Sequence, residues 1–136
     1  MKTLVIYYSY TGNTRKLAVS IAESEGADLY EIKDREHLST AKAFAVGAVR
    51  SRQGKKMDIE PITADFTAYE KVIVMGPIWA GKPAPQIMEA LDKLLPGQHV
   101  EAIMVSKSGK SAGRESVQAK TEAKGCRLQD YRDVKA

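Results

Sequence analysis

Three short stretches of the chain are dominated by apolar, β-favouring residues: Leu4 to Tyr8, Val72-Ile73-Val74-Met75 inside Lys71 to Gly76, and Val100 to Ser106 around Ile103 and Val105. The middle stretch has no polar residue over four positions. A strand with one wet face alternates apolar and polar residues, so an unbroken run suits a strand covered on both faces. Such strands belong to open parallel sheets with helices on either side. The intervening segments fit that plan. Thr14 to Ser24 places Leu17, Ala18, Ile21 and Ala22 at helical spacing, and Gly26 stops the helix. Asp28 to Lys33 reads as a second strand, with Leu29 and Ile32 available for burial. Leu38 to Val49 reads as a helix through Ala41, Phe44, Ala45, Ala48 and Val49, and Ser51 to Ala64 as an irregular polar segment. Pro85 to Leu95 carries Ile87, Leu91, Leu94 and Leu95 on one stripe, with proline at its start and Pro96-Gly97 at its end. Ser111 to Lys124 is a helix with a thin apolar face, and Cys126 to Val134 a fifth strand. Alternating strands and helices over 136 residues predict one α/β domain, 1–136, with right-handed crossovers and a mainly parallel sheet.

Composition narrows the function classes. No apolar run approaches the roughly 20 residues of a membrane span, and the N-terminus lacks a signal-peptide pattern. The expectation is a cytoplasmic protein that does not enter membranes. The single cysteine, Cys126, cannot form an intramolecular disulfide, and His37 and His99 stand apart, so no metal site is expected. The net charge of +4 is spread along the chain, densest at Arg50-Ser51-Arg52-Gln53-Gly54-Lys55-Lys56. Without an aromatic platform or a recognisable motif, that stretch reads as a solvated loop rather than a nucleic-acid contact.

The loop after the first strand carries the chemistry. Ser9-Tyr10-Thr11-Gly12-Asn13-Thr14 joins a strand to a helix N-terminus. There the unpaired amides and the positive end of the helix dipole favour an anion. Ser9, Thr11 and Thr14 add hydroxyls, Gly12 permits positive φ, and no acidic residue opposes a phosphate. A plain capped turn would use many of the same residue types. The segment, however, closely resembles the flavodoxin phosphate loop, (Ser/Thr)-x-Thr-Gly-Asn-Thr, at the same place in the chain. Gly76-Pro77-Ile78-Trp79-Ala80-Gly81-Lys82-Pro83-Ala84-Pro85 resembles the Pro-Ile-Trp loop of a flavodoxin subfamily, as does the preceding Asp65-Phe66-Thr67-Ala68-Tyr69-Glu70.

The resemblance implies a flavodoxin-like, open, doubly wound parallel sheet of strand order 2-1-3-4-5. It implies FMN as cofactor, with the phosphate on Ser9, Tyr10, Thr11, Gly12, Asn13 and Thr14. Pro77, Ile78, Trp79, Ala80 and Gly81 would lie against the ring, and a peptide flip at Gly81 would face a ring nitrogen. Ser106, Lys107, Ser108 and Gly109 would close the other side. Trp79 is the only tryptophan; a gap-filling role in the core competes with ring contact. No aromatic residue stands in Lys107 to Gly113, which departs from many carrier flavodoxins and disfavours stacking on both faces. Gly109-Lys110-Ser111 resembles the end of a nucleotide P-loop, but Met104 stands where that pattern needs glycine. A receiver-like signalling domain would need an acidic pair where Ser9-Tyr10-Thr11 stands.

Two functions then compete: a low-potential electron carrier, with no catalytic residue of its own, and an FMN-dependent NAD(P)H or quinone oxidoreductase. Carrier flavodoxins are acidic; this chain instead has Lys82, Lys107, Lys110 and Arg114 in or beside the flavin loops. That rim points to an acidic redox partner or an anionic substrate. The family's last helix has no counterpart before Ala136. One sheet face should therefore be short of cover, as in a homodimer or a shortened chain.

Overall fold

A computed structural model describes residues 2–35 and 59–136. The expected helix from Leu38 to Val49 and the basic stretch from Arg50 to Lys56 lie outside the described residues. The elements run β1 (Thr3–Tyr7), α1 (Asn13–Glu25), β2 (Asp28–Glu31), a 3-10 turn (Phe66–Ala68), β3 (Lys71–Trp79), β4 (Lys82–Pro83), α2 (Pro85–Leu91), β5 (His99–Ser106), α3 (Arg114–Ala123) and β6 (Arg127–Lys135). The sheet order is β2-β1-β3-β5-β6, all parallel, with β4 paired antiparallel to β3. Counting only the long strands, this is the expected 2-1-3-4-5 order.

The unbroken apolar runs are buried on both faces. Leu4, Ile6, Val72, Val74, Val100, Ala102 and Met104 point to one side, where Ile87, Ala90 and Leu91 of α2 and Val117 of α3 meet them. Val5, Tyr7, Ile73, Met75 and Ile103 point to the other, under Ala18 and Ala22 of α1. Each fully buried aliphatic side chain contributes roughly 1.5–3 kcal/mol, so the central strands dominate the stability.

Several boundaries differ from the sequence expectation, each for a local reason. β3 continues past Gly76 to Trp79 because Gly76 and Pro77 still pair with β5. Leu29 is 41% exposed, because β2 is the edge strand of the sheet; Ile32 is buried as expected. Helix α2 stops at Leu91 rather than Leu95: Lys93 and Leu94 donate to Ala90 and Leu91, three residues back, tightening the chain. Leu95, which precedes Pro96, cannot comfortably stay helical; its amide is taken by the Gln98 side chain at 2.8 Å, and its side chain is 37% exposed. α3 begins at Arg114 rather than Ser111, since Ser111 and Ala112 are engaged elsewhere.

In β6 the pairing with β5 slips between Val100 and Glu101, so Leu128 faces Val100 and Asp130 faces Glu101. This bulge skips Gln129 and turns Tyr131 onto the α2/α3 face. It also sets Asp130 and Arg132 on the α1 face, beyond the reach of α1. There Leu17, Ile21, Glu25, Glu101, Ile103 and Arg132 border a groove of about 540 Å³. The face expected to be bare is therefore charged: Arg132 pairs with Asp130 at 3.3 Å, and Lys71 bridges Glu25 and Glu101, each at 3.3 Å.

Candidate functional site

The strands end together on one edge, where β1 and β3, the first pair of the reversed order, diverge into their loops. A cleft of about 490 Å³ lies there, within the size range of small-molecule sites. Its walls come from three loops: Tyr10, Thr11, Asn13 and Thr14; Pro77, Ile78, Trp79 and Gly81; and Val105, Ser106, Lys107, Ser108 and Lys110, with Ala136 beside them. The structure thus brings together eleven of the fifteen residues expected at the site. Ser9, Gly12, Ala80 and Gly109 do not line the cleft; they shape the loops that do.

Ser9 organises the first loop. Its Oγ accepts from the amides of Gly12 (3.1 Å) and Arg15 (3.2 Å), pinning the loop to the first turn of α1. Gly12 has φ 97°, a conformation open to glycine at little cost. The first helical bond runs from Lys16 N–H to Gly12 O, so the amides of Asn13 and Thr14 have no acceptor among the described residues. Two unpaired amides at a helix start, with Thr11 and Thr14 beside them, form an anion cradle. Arg15 does not contribute charge to it, because its guanidinium is paired with Glu31.

The second loop is a tight hairpin. Trp79 pairs with Lys82 and Ile78 with Pro83, leaving Ala80 and Gly81 as the two turn residues. Both have positive φ, 53° and 82°, as a type I′ turn requires. Gly81 O accepts from Ala112 N–H at 2.7 Å, tying the hairpin to the third loop. That loop is anchored in turn: the Ser111 hydroxyl donates to Asp133 at 2.5 Å and lies 2.6 Å from the Tyr131 hydroxyl. Burial pushes the Tyr131 hydroxyl pKa up. The Ser106 Oγ accepts from Gly109 N–H at 3.0 Å.

Trp79 is a core residue that also borders the cleft. It is only 5% exposed. Its ring is held between two tyrosines, each edge-to-face: Tyr8 at 5.8 Å and Tyr10 at 6.3 Å between centroids. No aromatic comes from the third loop, as the sequence indicated, but Tyr10 from the first loop adds one. Lys110, recognised in the sequence only as part of a basic rim, is a wall residue, and Val105 was not anticipated. The cleft lining contains two lysines and no acidic side chain. Lys82, Lys107, Lys110 and Arg114 are exposed and have no ion-pair partner among the described residues. No described residues form a metal-ligating cluster, and no described helix is long and apolar enough to cross a membrane.

Unpaired amides at a helix start, an aromatic wall and a cationic rim stand at the switch point of a 2-1-3-4-5 sheet, the place where open α/β proteins bind ligands. The flavodoxin family model matches residues 2–125, and the chain belongs to that family. Among solved structures, it is similar to a flavoprotein of Lactobacillus acidophilus in complex with FMN, with 27% identity, coverage of 97% of this chain and 93% of that one, and a TM-score of 0.79. Solved structures from Bacteroides eggerthii (21% identity, 96% and 86% covered, TM-score 0.80) and Bacteroides uniformis (22%, 96% and 88%, 0.78) share the fold. No curated protein matches the chain in sequence.

Proposed function

We propose that the protein is an FMN-binding redox protein of the cytoplasm that works as a low-potential electron carrier. The observation that carries the cofactor is the first loop, where Ser9 and Gly12 leave the Asn13 and Thr14 amides free at the start of α1. The residues present fit FMN: a phosphate cradle without acids, an aromatic and aliphatic wall from Ile78 and Trp79, and sufficient volume. Bound FMN supplies one- and two-electron redox chemistry. The chain's own residues then bind and orient: the first loop holds the phosphate, Tyr8 and Tyr10 fix the Trp79 wall, and the tie from Ala112 N–H to Gly81 O sets the hairpin. The described cleft lining holds no aspartate, glutamate or histidine side chain, which supports a carrier. Its partner is an acidic redox protein docking on Lys82, Lys107, Lys110 and Arg114.

The same unpaired lysines favour a second reading, an NAD(P)H or quinone oxidoreductase, because they suit a nucleotide phosphate. Anaerobic mixing with NADPH separates the two. Flavin reduced only through a reductase supports the carrier; rapid direct bleaching supports the enzyme. A homodimer remains part of the proposal, and sedimentation showing a stable monomer with full flavin removes it.

A further inference from the structure

Beneath the cleft lies a polar network that neither the phosphate loop nor the rim uses. Tyr8 directly follows β1, Asp34 follows β2, and Gln86 stands in the first turn of α2. The Tyr8 hydroxyl donates to one Asp34 oxygen at 2.5 Å, and the Gln86 side-chain amide donates to the other at 3.0 Å. Both carboxylate oxygens are thus occupied, from two directions. Gln86 is fully buried, and its Oε1 has no hydrogen-bond partner among the described residues. A buried acceptor left unsatisfied opposes folding. The amide is therefore placed to serve Asp34 at the expense of its own oxygen, a local conflict of the kind found at functional sites.

The beneficiary is visible. Tyr8 is 3% exposed, and its ring stands at 89° to Trp79. Swinging about Cα–Cβ would carry the Tyr8 ring away from Trp79, and anchoring the hydroxyl opposes that swing, while burial holds the ring plane about Cβ–Cγ. We propose that Asp34, acting through the Tyr8 hydroxyl, is a positioning residue that fixes the Trp79 ring in the wall of the cofactor cleft. Gln86 orients Asp34. Tyr10 meets the same indole from the cleft side at 80°. The indole is thus held from below by a hydrogen-bonded ring and from the side by one that itself lines the site.

The single tryptophan makes the test direct. In flavin-free protein, time-resolved fluorescence anisotropy reads the nanosecond motion of Trp79. Tyr8→Phe keeps the ring and removes only the anchor. It is expected to give Trp79 a fast depolarising component absent from the parent. It should also weaken FMN and riboflavin alike by about five- to tenfold, leaving their ratio unchanged. Asp34→Asn retains an acceptor for Tyr8 and keeps Trp79 rigid, whereas Asp34→Ala frees it. Trp79 as rigid in Tyr8→Phe and Asp34→Ala as in the parent, with only the melting temperature lowered, overturns the proposal and leaves the network a structural role. If Tyr8→Phe does not fold, the two Asp34 variants decide by the same readout, since Asp34 is only half-buried. The affinity arm rests on the flavin reading. A parent that binds neither flavin sinks that reading, while the anisotropy still decides the positioning claim.

Discussion

Gly113→Ala tests whether the hairpin and the third loop form one clamp. Gly113 precedes α3 with φ −102°, a conformation alanine adopts freely, so backbone strain is not at issue. Space is. An added Cβ would stand 2.2 Å from Pro83 Cδ, 2.6 Å from Pro83 Cγ and 2.9 Å from the Tyr131 hydroxyl. Pro83 is a closed ring paired to Ile78 within the hairpin, and Tyr131 is held by Ser111, so no rotamer change relieves the overlap. The hairpin must retreat by on the order of 1 Å in a close-packed setting. Overpacking of this kind costs about 1–3 kcal/mol. The smaller freedom of alanine in the unfolded chain returns roughly 0.4–1 kcal/mol. The net expectation is a loss of about 1–2 kcal/mol, read as a lower urea midpoint at unchanged slope. In the proposed site the hairpin is the ring side of the cleft and the first loop is untouched, so FMN and riboflavin should weaken in parallel. Stability within about 0.5 kcal/mol of the parent, or a loss confined to FMN, would refute the clamp.

Three further outcomes follow from the same structure. Ala80 holds φ 53° without being glycine, so Ala80→Gly should relieve left-handed strain and leave melting unchanged or raise it by up to about 1 kcal/mol in equivalent stability; clear destabilisation in a melting curve would contradict the turn assignment. Replacing Lys107 and Lys110 by glutamine removes positive charge beside the ring, and potentiometric titration should show the bound flavin shifted roughly 20–40 mV more negative, for about 1 kcal/mol of lost attraction; an unchanged potential would place the lysines too far away to matter. Burial and the Asp34 carboxylate push the Tyr8 hydroxyl pKa up, and burial raises that of Tyr131, so both stay protonated in the fold when they would ionise in the unfolded chain. Their contribution is complete below the ordinary tyrosine value near 10 and falls as pH rises above it, most steeply for Tyr8, at up to about 1.4 kcal/mol per pH unit less solvent screening; urea titrations from pH 9 to 11 should show the fall, shallower in Tyr8→Phe.

The parts of the fold that periodicity describes were legible in the sequence. Val72 to Met75 reads as a doubly covered strand because no polar residue interrupts it, and the order of the sheet follows from the family resemblance. What was hidden depends on contacts between distant residues. The end of α2 is set by Gln98 reaching back to Leu95 N–H, which no local pattern announces. The bulge at Gln129 breaks the alternation of β6, so Leu128 and Tyr131 share a face three residues apart. At the site, the residue types of the phosphate loop carried a clear chemical signal, but the division of labour did not. Ser9 spends its oxygen on two amides, and only the fold shows it. Likewise Trp79 is both core and wall because Tyr8, just before the first loop, and Tyr10, within it, converge on it in space.

The central claim is that the loop from Ser9 to Thr14 holds the phosphate of FMN, and a paired titration of the flavin-free protein with FMN and riboflavin tests it most directly. The two ligands share the ring and differ in the phosphate. Quenching of Trp79 and the flavin absorbance report binding of each. The structure predicts FMN tighter by at least about a hundredfold, the worth of two charge-assisted amide bonds at a helix start. Ser9→Ala should erase most of that difference while leaving riboflavin unaffected. Equal affinities for the two flavins, or no binding of FMN at all, would contradict the account.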